Sequence, residues 1–173
     1  MELSFILISI IQAVSISLGV GCSTLAIINF FAAIADGTID ETERRMMGVV
    51  YVVLRIAMVL ILITTFTLGL LAYIETGTIQ FTVYMAALWT LIAILYTNAL
   101  LMTRHVVPST IGPAAQASAW YSLGILLALL PHGLINFSYW QFLLTYICFF
   151  VLAISLVNGM MAYLKRRRNQ ASI

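Results

Sequence analysis

Arg55 is the residue whose position most needs a chemical explanation. It lies in the apolar segment YVVLRIAMVL, residues 51–60, which contains no acidic residue. An arginine side chain stays protonated in proteins and carries five N–H donors in a planar fork that matches carboxylates and phosphates. Two interpretations are open: Arg55 binds an anion, or its long side chain reaches the lipid headgroups and anchors the segment at the interface.

Neutral polar residues occur in each of the other apolar segments at a depth similar to that of Arg55. Amide and hydroxyl groups can hold a guanidinium without cancelling its charge, which leaves that charge for a solute, a lipid phosphate or a cofactor carboxylate. Tyr51 lies one helical turn before Arg55 and shares its face. The predicted ligand-binding residues are Arg55, Tyr51, Asn29, Asn98, Gln116, Ser118, Tyr121 and Asn158.

The acidic segment ADGTIDETERR contains the densest group of possible metal ligands. Asp36, Asp40 and Glu43 are candidates for a divalent-cation site, because clustered carboxylates suit hard cations. Their spacing does not match a calcium loop. The alternative is structural: Asp40 caps the next helix and Glu43, three positions later, completes a capping box. The structural interpretation accounts for more of these residues, and we expect it.

The two histidines are the candidate haem or metal ligands. His105 follows the third apolar segment and His132 lies near the end of the fourth, so most of a bilayer separates them. One iron therefore cannot take both as axial ligands within one subunit. A pair formed by His132 and Met85 stays open, and the alternative is an interfacial histidine beside Pro131. No cofactor is predicted.

The segments that position these residues are too apolar for a water-soluble fold. Of 173 residues, 63% are hydrophobic and 8% are charged, and the mean hydropathy is +1.10. Soluble domains carry about 25% charged residues. The apolar runs do not alternate with period two, which excludes a β-barrel. The sequence predicts an all-α integral membrane protein, a five-transmembrane-helix bundle. Its spans lie at about 3–35, 46–74, 80–103, 114–137 and 139–164 in one domain over 1–164, followed by a basic tail over 165–173.

The basic residues predict the orientation of this bundle. Seven of the eight Lys and Arg residues lie at Arg44, Arg45, Arg104 and positions 165–168, which five spans place on one side. Basic loops face the cytoplasm. We therefore expect the N-terminus outside, the C-terminus in the cytoplasm, and a bacterial or archaeal cytoplasmic membrane. Glu2 stands where a signal peptide carries a basic residue, so we expect a retained first helix.

Small and polar residues recur at three- and four-residue spacing along the first segment. They form one helix face made of Gln12, Ser15, Gly19, Cys22, Ala26, Asn29 and Ala33. Small residues let helices approach closely, and polar ones form hydrogen bonds between helices. This face predicts a seam with another helix or another subunit, and the alternative is a wall of a polar pathway.

Taken together, these features predict an oligomeric transporter or channel whose cytoplasm-facing polar pocket around Arg55 suits an anionic ligand. Two alternatives stay open: a scaffold or sensor subunit of a larger membrane complex, and a haem- or quinone-binding redox protein. The sequence has no nucleophile–base pair or phosphate loop, so we expect no enzymatic activity. Expected partners are the lipid bilayer and copies of this chain or other membrane subunits; no basic, aromatic-rich stretch suggests nucleic acid.

Overall fold

The described part of the chain is entirely helical. The computed structural model describes residues 2–36, 40–78, 81–104, 106–108, 111–133 and 136–171, with the side chains of all of these except 33–36, 165, 167–169 and 171. In these ranges there are five α-helices: α1 Glu2–Asp36, α2 Glu41–Thr76, α3 Val83–Thr103, α4 Ile111–Leu129 and α5 Tyr139–Ala171. A short 3₁₀ turn, Leu130–His132, follows α4, and the described ranges contain no strand.

All five helices are long and apolar enough to cross a bilayer. Helix α2, for example, has 36 residues, and at 1.5 Å per residue it is about 54 Å long, which exceeds a hydrocarbon core about 30 Å thick. The predicted all-helical class, with five helices that are long and apolar enough to span a membrane, is therefore confirmed.

Local chemistry explains where the helices begin and end. Helix α2 begins at Glu41, before the predicted apolar span, because Asp40 caps it. Helix α4 ends at Leu129 rather than at 137, since Pro131 lacks the N–H that would continue the helix. Gly133 then adopts a left-handed conformation with φ 64° and closes the 3₁₀ turn. Helix α5 continues past the predicted span to Ala171.

Helix α4 lies at the centre of the bundle. It contacts α1, α3 and α5, while α1 and α2 form the most extensive pair. Its first half is rich in small residues, which allow neighbouring helices to approach closely: Ala114, Ala115, Ala117, Ser118 and Ala119 are all buried. The core around it is filled by large side chains that are almost wholly buried, namely Trp120, Ile61, Leu91, Leu95 and Leu123.

Two helix contacts differ in how tightly they close. Between α1 and α4, the indole of Trp120 lies directly against Gly19, so that a β-carbon on this glycine would overlap the ring. We call this contact the closed seam. Between α2 and α3, contact is limited; the hydroxyl of Tyr96 donates to the carbonyl oxygen of Met58 at 3.0 Å, and a groove lies on either side of this point. We call this contact the open seam.

Candidate functional site

Arg55 lies in a groove of about 260 Å³ on the lateral surface of the bundle. The groove is on the open seam, at the end where α3 finishes and α4 begins. Its lining consists of Tyr51, Leu54, Arg55, Met58, Ala99, Met102, Thr103 and Gln116. None of the described lining residues is acidic, so the groove itself supplies no countercharge for the guanidinium. We call it the Arg55 groove.

The groove is lateral, whereas the sequence suggested a pocket inside the bundle. Helix α2 turns Leu54, Ala57 and Ile61 inward, and Arg55 is exposed beside this buried face. The interior at the level of α4 is occupied by Trp120, which is 0% exposed, and its neighbours. Because these packed side chains leave few voids, the described interior at this level does not accommodate a guanidinium and a ligand.

Asn98 and Gln116 form the polar back of the Arg55 groove. The Asn98 side chain is 7% exposed, and its Nδ2 donates to the carbonyl oxygen of Gly112 at 2.8 Å and to Oε1 of Gln116 at 3.1 Å. The other end of the Gln116 amide, Nε2, lies 3.5 Å from the sulfur of Met58. Thioether sulfur is a weak acceptor, so Gln116 retains most of its capacity to donate to a ligand.

Ser118 and Tyr121 connect helices elsewhere in the bundle. Ser118 is wholly buried and lies 3.5 Å from the hydroxyl of Tyr146 on α5. The hydroxyl of Tyr121 lies 2.6 Å from that of Thr24 on α1. Because Thr24 gives its single proton to the carbonyl oxygen of Val20 at 2.8 Å, Tyr121 must be the donor in this pair. Neither Ser118 nor Tyr121 lines the Arg55 groove.

Asn29 and Asn158 also lie away from the Arg55 groove. Asn29 is half-buried on α1, and its Nδ2 has no hydrogen-bond partner among the described residues. Asn158 is exposed on α5. The structure therefore brings together four of the eight predicted ligand-binding residues, and the other four are separate. The four that meet are Arg55, Tyr51, Gln116 and, hydrogen-bonded behind them, Asn98.

Two of the three acidic candidates for a metal site, Asp40 and Glu43, form a helix cap. Glu43 N donates to Oδ1 of Asp40 at 2.6 Å, and Asp40 N donates to Oε2 of Glu43 at 3.1 Å. This reciprocal pair is the expected capping box. The side chain of Asp36 lies outside the described residues. Within the described ranges, no group of three or more His, Cys, Asp and Glu side chains comes close enough together to hold a metal ion.

His132, one of the two histidine candidates, does not line the Arg55 groove. His132 is exposed in the 3₁₀ turn, and His105 lies outside the described residues. Met85 lines a second groove of about 390 Å³ on the open seam, which we call the Trp89 groove. It is bounded by Thr65, Phe66, Gly69, Leu70, Ala72, Tyr73, Thr76, Thr78, Phe81, Met85 and Trp89. No local sequence signal predicted this groove, because it depends on how far α2 and α3 diverge.

Sequence reasoning also missed Ser23. This residue is 3% exposed, and its hydroxyl has no partner among the described residues. It lines a small cavity of about 30 Å³ that shares four lining residues with the Arg55 groove: Tyr51, Leu54, Met102 and Gln116. Ser23 follows Gly19 by four residues, so it belongs to the same helix face, and the spacing contained a usable signal.

The chemistry available in the Arg55 groove is therefore that of a binding site. It combines a positive charge, a tyrosine hydroxyl and an oriented amide, all of which can donate hydrogen bonds to an anion. Comparisons of this chain with protein-family models, with curated proteins and with solved structures gave no significant match in any of the three.

Proposed function

We propose that this chain is a subunit of an oligomeric membrane transporter or channel that binds an anionic substrate in the Arg55 groove. The observation that carries the proposal is a permanent cation in a groove without an acidic residue among its described lining. On insertion scales, an arginine costs about 2.5–3.5 kcal/mol at the centre of a membrane helix, and less near the interface. A bound anion pairs with the guanidinium and so offsets part of that cost.

The open seam supplies the route. The bundle interior is filled by buried side chains, whereas the Arg55 groove and the Trp89 groove follow one another along the same pair of helices. The contact between Tyr96 and Met58 separates them. We propose that substrate passes along this seam, and that a second copy or another subunit covers it, because a lateral groove by itself opens toward lipid.

We further propose that the N-terminus is outside and that the Arg55 groove opens to the cytoplasm. The support is the basic end of the bundle, where Arg44, Arg45, Arg104 and Arg166 are exposed. In a background with both native cysteines replaced by alanine, single cysteines at Thr42 and Thr78 should label from opposite sides of the membrane. Labelling of both from the same side would rule out this orientation and the five-span arrangement.

The decisive measurement is flux of radiolabelled inorganic phosphate or succinate into proteoliposomes. The wild-type protein should exceed protein-free liposomes. Arg55→Leu should fall to background, and Arg55→Lys should lose about tenfold or more, since lysine lacks the planar fork that binds two oxygens at once. Arg44→Leu removes an exposed arginine from the same helix and should leave flux intact. Wild-type flux equal to that of empty liposomes would contradict the proposal.

The two alternatives give different results in the same preparation. A scaffold or sensor subunit would show no flux of either probe, yet it would co-purify with a defined membrane partner. A haem protein would show a Soret absorption band, and a quinone-binding protein would release an extractable quinone. Transport without either signature supports the proposed function.

A further inference from the structure

We infer that the ligand of the Arg55 groove is an oxyanion, a carboxylate or phosphate, held by Arg55 together with the side-chain N–H of Gln116. Asn98 acts as a positioning residue that turns this N–H toward the groove. The inference rests on the proposed anion site and deepens it by naming the chemical class of the substrate.

The orientation of the Asn98 side-chain amide is set by a backbone carbonyl group, which cannot turn over as a side-chain amide can. The carbonyl oxygen of Gly112 is only an acceptor, and Asn98 Nδ2 lies 2.8 Å from it. If the Asn98 amide were turned over, two oxygens would face each other in a buried position. Leaving a buried polar group unsatisfied costs about 1–3 kcal/mol, so Asn98 is held with its NH₂ group toward Gly112.

Asn98 then fixes Gln116 by the same logic. Its second N–H donates to Oε1 of Gln116 at 3.1 Å. A reversed Gln116 would bring two NH₂ groups together, which repel each other. Gln116 is therefore held with Nε2 directed away from Asn98, at 3.5 Å from the sulfur of Met58, and both of these residues line the Arg55 groove.

The resulting set of donors favours an oxyanion over a halide. A guanidinium offers two parallel N–H groups to two oxygens of one carboxylate or phosphate. Gln116 adds a further donor whose present acceptor is a weak one, and the exposed hydroxyl of Tyr51 lines the same groove. A single-atom halide can accept several N–H groups, but the two parallel bonds of the fork reach it only at bent angles, which weakens them.

Ser23 provides an independent sign that polar groups continue behind Gln116. Its unpartnered hydroxyl and Gln116 line the same cavity of about 30 Å³. A cavity of this size is large enough for one water molecule or one ligand oxygen. Either would give the Ser23 hydroxyl a partner, and it would extend the polar lining of the Arg55 groove into the bundle.

The oxyanion could belong to a soluble ion or to a lipid headgroup, since the Arg55 groove is lateral. Two arms of one binding experiment separate these sources. In neutral detergent, purified protein is titrated with inorganic phosphate, with chloride and with short-chain phosphatidic acid. In nanodiscs made only of zwitterionic lipid, phosphate and chloride are titrated again. Phosphate binding that is tighter than chloride binding in both arms indicates a soluble ion. Tight binding of phosphatidic acid, without tight binding of inorganic phosphate, indicates a lipid.

The inference requires that at least one oxyanion binds about tenfold or more tightly than chloride. Gln116→Met keeps the size of the side chain but removes its donor, and it should weaken that binding by about tenfold, as expected for the loss of one charge-assisted hydrogen bond. Gln170→Met, the same change at an exposed position near the end of α5, should have no effect. Equal binding of oxyanions and chloride, or a Gln116→Met variant that binds like wild type, overturns the inference.

The role of Asn98 needs a readout that loss of packing would not change. Nitrogen NMR of the Gln116 side-chain amide should shift when phosphate is added to wild type, and the shift should be absent in a folded Asn98→Leu variant. Gln116→Glu tests the donor that Asn98 orients, and it does so whether or not Asn98→Leu folds. It keeps the acceptor for Asn98 but replaces the donor with an anionic oxygen, so it should fold and bind oxyanions about a hundredfold more weakly. Wild-type affinity in Gln116→Glu overturns the inference.

Failure of the transport proposal is distinguishable from failure of this inference. If oxyanion binding depends on Gln116 but proteoliposomes show no flux, the transport proposal is contradicted and the oxyanion site is supported. Flux that depends on Arg55 and is as fast for chloride as for phosphate removes the oxyanion class and leaves the transporter.

Discussion

The closed seam and the open seam differ in how closely their helices approach each other. In the closed seam, Gly19 lets the ring of Trp120 lie against the α1 backbone, and Gly124 allows Val20 to approach, so that an added β-carbon would lie 3.3 Å from Cγ2 of Val20. In the open seam, α2 and α3 meet near Tyr96 and leave grooves of about 390 and 260 Å³. One contact contributes stability, and the other leaves surface on which a ligand can bind.

The two seams also differ in how far the hydrogen-bonding capacity of their polar groups is already used. In the closed seam, the Thr24 hydroxyl donates to its own helix and accepts from Tyr121, so its hydrogen-bonding capacity is used. In the Arg55 groove, Nε2 of Gln116 lies 3.5 Å from the sulfur of Met58, which is a weak acceptor. A polar residue in a membrane helix therefore indicates a site only when its donors remain available, and this depends on its neighbours rather than on its type.

The largest expected effect is that of Gly19→Leu in the closed seam. The leucine would collide with Trp120, which is 0% exposed and has no room to move. Overpacking a filled core typically costs about 1–3 kcal/mol, and more where backbones are forced apart. We expect a lower midpoint of thermal unfolding and loss of a monodisperse peak in size-exclusion chromatography.

Gly21→Leu is the matched control for this substitution. It makes the same change two residues later on α1, where an added β-carbon meets nothing within 4 Å and the residue is exposed. This variant should melt like wild type. If Gly19→Leu also melted like wild type, the closed seam would not be the contact that holds α1 to α4.

The sequence could predict the closed seam better than the open one. The spacing of Gln12, Ser15 and Gly19 identified the packed face of α1, because an amphipathic pattern is local to one helix. It could also identify Arg55 as unusual. It could not show that Asn98 and Gln116 meet, since their contact depends on the approach of α3 to α4. It likewise could not assign Ser118 and Tyr121 to other helix contacts, because depth along a helix does not give the direction in which a residue faces.

A smaller loss is expected from Gln12→Leu, which removes a hydrogen bond between α1 and α2. Nε2 of Gln12 donates to Oγ1 of Thr65 at 2.9 Å, and both residues are buried. Hydrogen bonds between membrane helices average about 0.6 kcal/mol and reach about 1.7. We expect a loss of about 1 kcal/mol in the free energy of unfolding, measured in detergent by reversible denaturation.

A double-mutant cycle tests whether that loss belongs to the hydrogen bond. The double mutant Gln12→Leu/Thr65→Val should lose less free energy of unfolding than the sum of the losses of the two single mutants, because each single change already breaks the same hydrogen bond. Phosphate affinity should not change in any of these variants, since neither residue lines the Arg55 groove. Strictly additive losses would mean that the two side chains contribute through separate contacts.

Tyr121→Phe should have a still smaller effect on stability. It removes the hydroxyl that donates to Thr24 at 2.6 Å, while the ring keeps its edge-to-face contact with Phe149. The Thr24 hydroxyl loses the hydrogen bond that it accepts from Tyr121 but still donates to the carbonyl oxygen of Val20. We expect about 0.5 kcal/mol in the free energy of unfolding, close to the mean for such bonds in membrane proteins. A loss above about 2 kcal/mol would show that Tyr121 contributes more than this bond to the closed seam.

The smallest expected loss of stability is that of Arg55→Leu, and it defines the open seam most sharply. Arg55 is exposed beside the buried face of α2, and the described lining of its groove contains no carboxylate to pair with. Removing a charge from an apolar segment relieves an insertion cost of up to about 2.5–3.5 kcal/mol, and less near the interface. The free energy of unfolding without ligand should therefore stay equal to that of wild type or rise, whereas phosphate should no longer protect the variant against unfolding. Arg55→Lys keeps the charge, so it should match wild type in stability while giving weaker protection by phosphate. If Arg55→Leu were instead destabilised by more than about 1 kcal/mol without ligand, Arg55 would be part of the packing, and the open seam would resemble the closed one.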